Sequence, residues 1–165
     1  MMIPAALRPI VLGLALGLAW LAAELVPAEA QQSLATFTRD SLVLRTADGT
    51  EREFDIELAL TPQQQVQGLM YRQSLAADAG MLFLYRPARP VSMWMKNTVI
   101  PLDMLFIAED GEIVKIVERT VPFSLTTIPS DRRVLAVLEI NGGTADRLGI
   151  RPGDRVVHPA FEAGP

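Results

Sequence analysis

The stretch Phe54-Asp55-Ile56-Glu57-Leu58-Ala59-Leu60 governs how the rest of the chain is read. Phe54, Ile56, Leu58 and Leu60 recur at every second position, with Asp55, Glu57 and Ala59 between them, which is the period of a strand with one buried face. The pattern stops at Thr61-Pro62-Gln63-Gln64. Thr61 can accept from the free amides of a helix start, Pro62 can fill a position whose N–H would have no partner, and Gln64 can complete a capping box. A short helix is therefore expected, with Val66, Leu69 and Met70 as its buried stripe.

Upstream of this stretch, residues 41–45 read as a strand, and Asp48-Gly49 supplies the tight turn of a hairpin. Downstream, residues 81–85 form a continuous apolar run suited to a buried strand. Pro87 and Pro90 break it, and a further strand is expected over 91–96. Residues 102–108 and 112–119 flank Glu109-Asp110-Gly111, a second hairpin, and residues 120–132, with Pro122 and Pro129, read as a long loop. The last long strand spans 133–140. Asn141-Gly142-Gly143 then turns into a short helix over 144–148 that Gly149 stops, and Pro152-Gly153-Asp154 leads into a final strand at 155–157. The expectation is an α+β domain with a mainly antiparallel, curled or barrel-like sheet of about seven strands and two short helices.

Half of the 165 residues are apolar, 21% are charged, and the net charge is −4, so an extended disordered chain is excluded and grip on nucleic-acid phosphates is not expected. With no cysteine, disulfides, thiolate metal sites, lipid attachment and cysteine nucleophiles are ruled out. A single basic residue, Arg8, precedes the apolar run 10–23, which is shorter than the roughly 20 residues a spanning helix needs. With Ala28-Glu29-Ala30 behind it, the segment reads as a secretory signal peptide cleaved after Ala30, and a retained N-terminal anchor is its rival. The expected organisation is a signal peptide at 1–30, a lead-in and first strand at 31–52, one compact domain at 53–158 and a tail at 159–165. The product is expected to be periplasmic or extracellular, with no membrane span once the signal is removed.

Several blocks, in order, resemble the domain of unknown function family 192. They are Gly68-Leu69-Met70-Tyr71-Arg72, Gly80-Met81-Leu82-Phe83, Met93-Trp94-Met95-Lys96-Asn97-Thr98, Ile100-Pro101-Leu102-Asp103, Val137-Leu138-Glu139 and Gly149-Ile150-Arg151-Pro152-Gly153-Asp154. The likeness runs over residues 54–157. It implies a single compact domain, often exported, and no established reaction, cofactor or partner.

The residues that could carry function concentrate between Trp94 and Asp103. Strand alternation puts Trp94 and Lys96 on one face and Met93 and Met95 on the other. If the methionines face the core, Trp94, Lys96, Asn97 and Thr98 make an aromatic floor with few polar groups, the kind of surface a small ligand uses. The plainer alternative is Trp94 in the core with Lys96 reaching past it to water. Asp103, beside Leu105 and Ile107, and Glu139, beside Leu135 and Val137, interrupt apolar strand faces and so need partners, with Arg72 and Lys96 as candidates.

The leading expectation is non-catalytic binding of a small ligand or an envelope protein through Arg72, Trp94, Lys96, Asn97, Thr98, Asp103 and Glu139. One alternative is a hydrolase using Asp103 and Glu139 as acid and base. Another is Cu(I) binding through the methionine thioethers, Met93 and Met95 first. His158 reads as an exposed imidazole, and Arg86, Arg89, Arg132 and Arg133 as either a solvated surface or an anion-attracting rim. No cofactor or bound metal is indicated.

Overall fold

A computed structural model describes residues 34–162, so the signal peptide expected at 1–30 and its expected cleavage point lie outside the described residues. Strand β1 (Thr38–Arg45) and β2 (Glu51–Ala59) form the first hairpin, as the turn residues require. Asp48 accepts from the Thr46 hydroxyl at 2.6 Å and the Thr50 amide at 2.9 Å, and these bonds, the Thr46 hydroxyl first, hold its carboxyl down at about 2. Helix α1 (Pro62–Gln67) opens on the anticipated capping box: Thr61 accepts from the Gln64 amide, and the Gln64 side chain returns to the Thr61 amide.

The helix carries the chain across so that β3 (Ala79–Arg89) pairs parallel to β2, a geometry that no hairpin can make. Strands β4 (Ser92–Met93), β5 (Leu102–Ile107), β6 (Ile113–Val117), β7 (Ile128–Pro129) and β8 (Val134–Asn141) follow. Helix α2 (Thr144–Leu148), β9 (Arg155–Val157) and helix α3 (Pro159–Glu162) complete the described chain. Seven strands form one mixed sheet in the order β6-β5-β8-β3-β2-β1-β9, antiparallel except for β2 and β3, while β4 and β7 pair separately.

The two edges of the large sheet meet. The Ile113 amide donates to the Asp154 carbonyl, the Gly153 amide to the Ile113 carbonyl and the Val156 amide to the Gly111 carbonyl, each at 2.8 Å. The sheet is thus nearly closed, which leaves few strand edges for unwanted pairing. Inside lies a core to which all seven strands contribute, including Leu44, Phe54, Ile56, Leu82, Leu105, Ile113, Leu138 and Val156. A second core covers the outer face of β3, β8 and β5, where Met81, Phe83, Met104 and Phe106 pack against Leu69, Met93 and Met95.

Several sequence expectations are corrected. Helix α1 ends at Gln67, so Val66 is exposed and only Leu69, beyond Gly68, is fully buried; Met70 is half-buried. Its inward side is polar instead: Gln65 donates to the carbonyls of Ala59 and Leu84. Strand β3 runs on through Pro87 because its register with β8 shifts between Leu84 and Arg89, so the proline interrupts no regular ladder. Of the strand expected at 91–96 only Ser92–Met93 pairs, and its partner β7 lies within the segment read as a loop.

The end of the described chain is also more structured than a loose tail. Helix α3 buries Ala160 and packs Phe161 on the core. His158 is buried, not exposed. Its Nδ1 accepts the Ala160 amide at 3.0 Å, which leaves Nε2 to donate to Asp40 Oδ2 at 3.2 Å. The Ser41 amide and then His158 lower the Asp40 pKa.

Candidate functional site

Three tight turns meet on one part of the surface. Residues 69–72, 95–98 and 121–124 each close with an amide of the fourth residue donating to the carbonyl of the first, at 3.3, 3.0 and 3.2 Å. The third residue of each has a positive φ: Tyr71 at 65°, Asn97 at 56° and Phe123 at 60°. Asparagine tolerates that conformation, but a bulky aromatic seldom adopts it, and holding one there costs about 1–3 kcal/mol. The turns are joined to each other. The Tyr71 amide donates to the Asn97 carbonyl at 2.9 Å, the Asn97 side chain to the Tyr71 hydroxyl at 2.7 Å, and the Phe123 amide to the Thr98 carbonyl at 3.1 Å.

From these turns the segments 91–98 and 121–130 run side by side as a ribbon, tied by the β4–β7 pair, by the Met95 amide on the Ser124 carbonyl and by Ser130 on Val91. Its inner side chains, Met93, Met95 and Ser130, are buried. Its outer side carries Trp94, 43% exposed, together with Val121, Phe123 and Leu125, each at least 60% exposed. Tyr71 stands exposed at the adjoining turn. Lys96 stacks its ammonium 5.3 Å from the centre of the Trp94 ring. The methionine face is therefore the core face, and Trp94 and Lys96 look outward.

The other candidate residues disperse. Arg72 pairs with Glu57, lies over the Phe37 ring and lines a separate open recess of about 420 Å³ with Arg39, Asp55 and Leu75. Thr98 is buried and closes its own turn. Asp103 is fully buried: Oδ1 accepts the amides of Arg119 and Gly143, and Oδ2 accepts that of Ala145, all at 2.8 Å. It satisfies the free N–H groups at the start of α2, a structural duty, and neither Arg72 nor Lys96 is its partner.

Glu139, 4% exposed, lies across from Met81 and Met104, has no hydrogen-bond partner among the described residues, and is pushed up to about 8 by desolvation. Burial first, and then the Glu139 charge, also raises the Tyr85 phenol, against a smaller opposing effect of Arg89.

This placement removes the hydrolase alternative. In the β5–β8 register Asp103 lies opposite Ile140 and Met104 opposite Glu139, so the two carboxyl groups point to opposite faces of the sheet and share no cleft. The sulfurs of Met93 and Met95, the first candidates for copper, are also engaged. Tyr85 donates to Met93 Sδ at 3.4 Å and Thr120 to Met95 Sδ at 3.1 Å, and both methionines are buried. Among the described residues no group of three or more His, Cys, Asp or Glu side chains could hold a metal.

Sequence reasoning missed Tyr71, Val121, Phe123 and Leu125. The available signal was Pro122, since proline at the second place favours a four-residue turn, though not by itself a positive φ at the third.

Comparison with known proteins agrees with this architecture. A Sinorhizobium meliloti 1021 protein, described as a candidate transcription regulator, is 49% identical and superposes with a TM-score of 0.75, covering 76% of this chain and 98% of its own. A Novosphingobium aromaticivorans DSM 12444 protein of unknown function is 39% identical with a TM-score of 0.70, covering 75% and 94%. No curated protein matches the chain. Residues 43–158 match the family DUF192, "Uncharacterized ACR, COG1430", and with these relatives the chain belongs to that family.

Proposed function

We propose that this protein is an exported, non-catalytic binding module whose working surface is the outer side of the 91–98/121–130 ribbon and its three turns. One observation carries the reading: Tyr71 and Phe123 are held in left-handed backbone at hydrogen-bonded turns, with both side chains largely exposed. Strain and exposed aromatic area are both unfavourable in the free protein, and both concentrate where a partner would recover them. Export rests on the leader-like residues 1–30 and on the absence of cysteine, which leaves the domain indifferent to an oxidising compartment.

The candidate role given to the Sinorhizobium protein does not carry over. The net charge is −4, and the longest helix among the described residues has six residues, too short to read a major groove.

Site-specific photocrosslinking tests the reading. A photoreactive side chain at position 123 or 96, in cells that make the protein, should give discrete adducts, whereas one at Arg52, an exposed residue on the β1–β2 hairpin, should not. Equal labelling from all three positions, or none from 123 and 96, would overturn it.

A further inference from the structure

The outer side of the ribbon is apolar and exposed. Val121 and Phe123 stand on a turn and Leu125 follows at the next alternate position, so three largely exposed apolar side chains stand close together on it. A protein partner would need a matching cavity for each of them, whereas a bilayer's headgroup region accepts projecting apolar side chains of any arrangement. Trp94 beside them is the residue type most at home in that region.

Charge favours the same partner. Lys96, Arg89, Arg132 and Arg133 are exposed along the ribbon or at its Arg89 end, and none forms an ion pair among the described residues. Asp131, the acid of this ribbon, is neutralised by Lys115 at 2.6 Å. In a chain of net charge −4, one cation beside the apolar tip and three at the opposite end of the same ribbon, none in an ion pair among the described residues, are a local feature and do not reflect overall composition.

We infer that this face docks on a bilayer surface rich in anionic phospholipid, with Val121, Phe123 and Leu125 entering the headgroup region and Lys96, Arg132 and Arg133 lying over phosphates. The inference rests on the ribbon being the working surface and names its partner. It requires no membrane span, in keeping with the absence, among the described residues, of any helix long and apolar enough to cross.

Residues 33–165 form one compact unit, and the Sinorhizobium relative consists almost wholly of the matching domain, so this portion is suitable for the test. It contains a single tryptophan, Trp94. Flotation with vesicles of phosphatidylglycerol and phosphatidylcholine should carry the protein upward and shift Trp94 emission to the blue, and pure phosphatidylcholine should do neither.

The double variant Phe123→Ser/Leu125→Ser should abolish the emission shift. Arg132→Gln/Arg133→Gln should weaken partitioning about fivefold for each charge removed, as should raised salt. No flotation with anionic vesicles, flotation that both variants leave intact, or preferential binding of a DNA duplex overturns the inference. Adducts from position 123 to an envelope protein, with no vesicle binding, would overturn the lipid assignment and leave the ribbon as the working surface. Loss of both signals would overturn both.

Discussion

Asp103 and Glu139 lie one step out of register on neighbouring strands, and the pleat sends them to opposite faces. Asp103 finds three backbone amides and Glu139 finds none among the described residues, so the first belongs to the scaffold and the second is an acid that burial penalises when it ionises. Alternation along each strand showed that both carboxylates interrupt apolar faces. It could not show that they diverge, because that depends on how β5 and β8 are aligned.

The consequence for Glu139 is a pH dependence. Well below the ordinary value of 4.5, its carboxyl is neutral in folded and unfolded chains alike. As pH rises toward about 8 the unfolded chain ionises while the folded one resists, so stability is lost across that interval. Glu139→Gln removes the titration. Urea midpoints should be similar for the two proteins at pH 4, with the variant more stable at pH 8.5 by on the order of a few kcal/mol. Parallel midpoints at both pH values would mean that Glu139 ionises freely in the fold.

The elements that local chemistry specifies were the most legible. The capping box at Thr61 and Gln64 forms with the expected bonds, the Asp48-Gly49 and Glu109-Asp110-Gly111 hairpins pair as read, and α2 occupies 144–148 as expected. The ribbon was less legible because its pairing is long-range. Met95 meets Ser124 and Ser92 meets Pro129 across sequence gaps that no periodicity reports, and two prolines made the second segment look unstructured.

The turn at 121–124 has a testable signature. Its third position takes glycine readily, whereas an L-residue in left-handed backbone costs about 1–2 kcal/mol, against the roughly 0.5–1 kcal/mol of extra unfolded-state entropy that glycine carries. Phe123 is largely exposed and so contributes little packing. Phe123→Gly should therefore leave thermal stability unchanged or raise it by up to about 1 kcal/mol, while abolishing crosslinking and vesicle binding. A clear fall in melting temperature would assign Phe123 to the scaffold instead.

Closure of the sheet sets the properties of the whole molecule, since β6 and β9 would otherwise be open edges on either side of the inner core. The seam is short: three backbone bonds, two of which make the Glu112–Arg155 bridge, the Arg155 side chain on Asp110, and Phe161 of α3 against Gly111. Gly111 has a φ of +87°, and a β-carbon there would stand 2.5 Å from the Val156 carbonyl, so both the conformation and the space call for glycine. Asp110-Gly111 was readable as a hairpin turn. Its second role, as the place where the far edge of the sheet arrives, became visible only with β9 in position.

Gly111→Ala should push β9 off β6. The resulting loss of stability should be at least about 2 kcal/mol, from the left-handed strain together with displacement of the seam. Amide exchange distinguishes local opening from global loosening. The Val156 and Ile113 amides, which donate across the seam, should lose protection first, while those of the β3–β8 ladder keep theirs. If all of these amides lost protection together, closure would be inseparable from folding, and the seam would be part of the one cooperative unit.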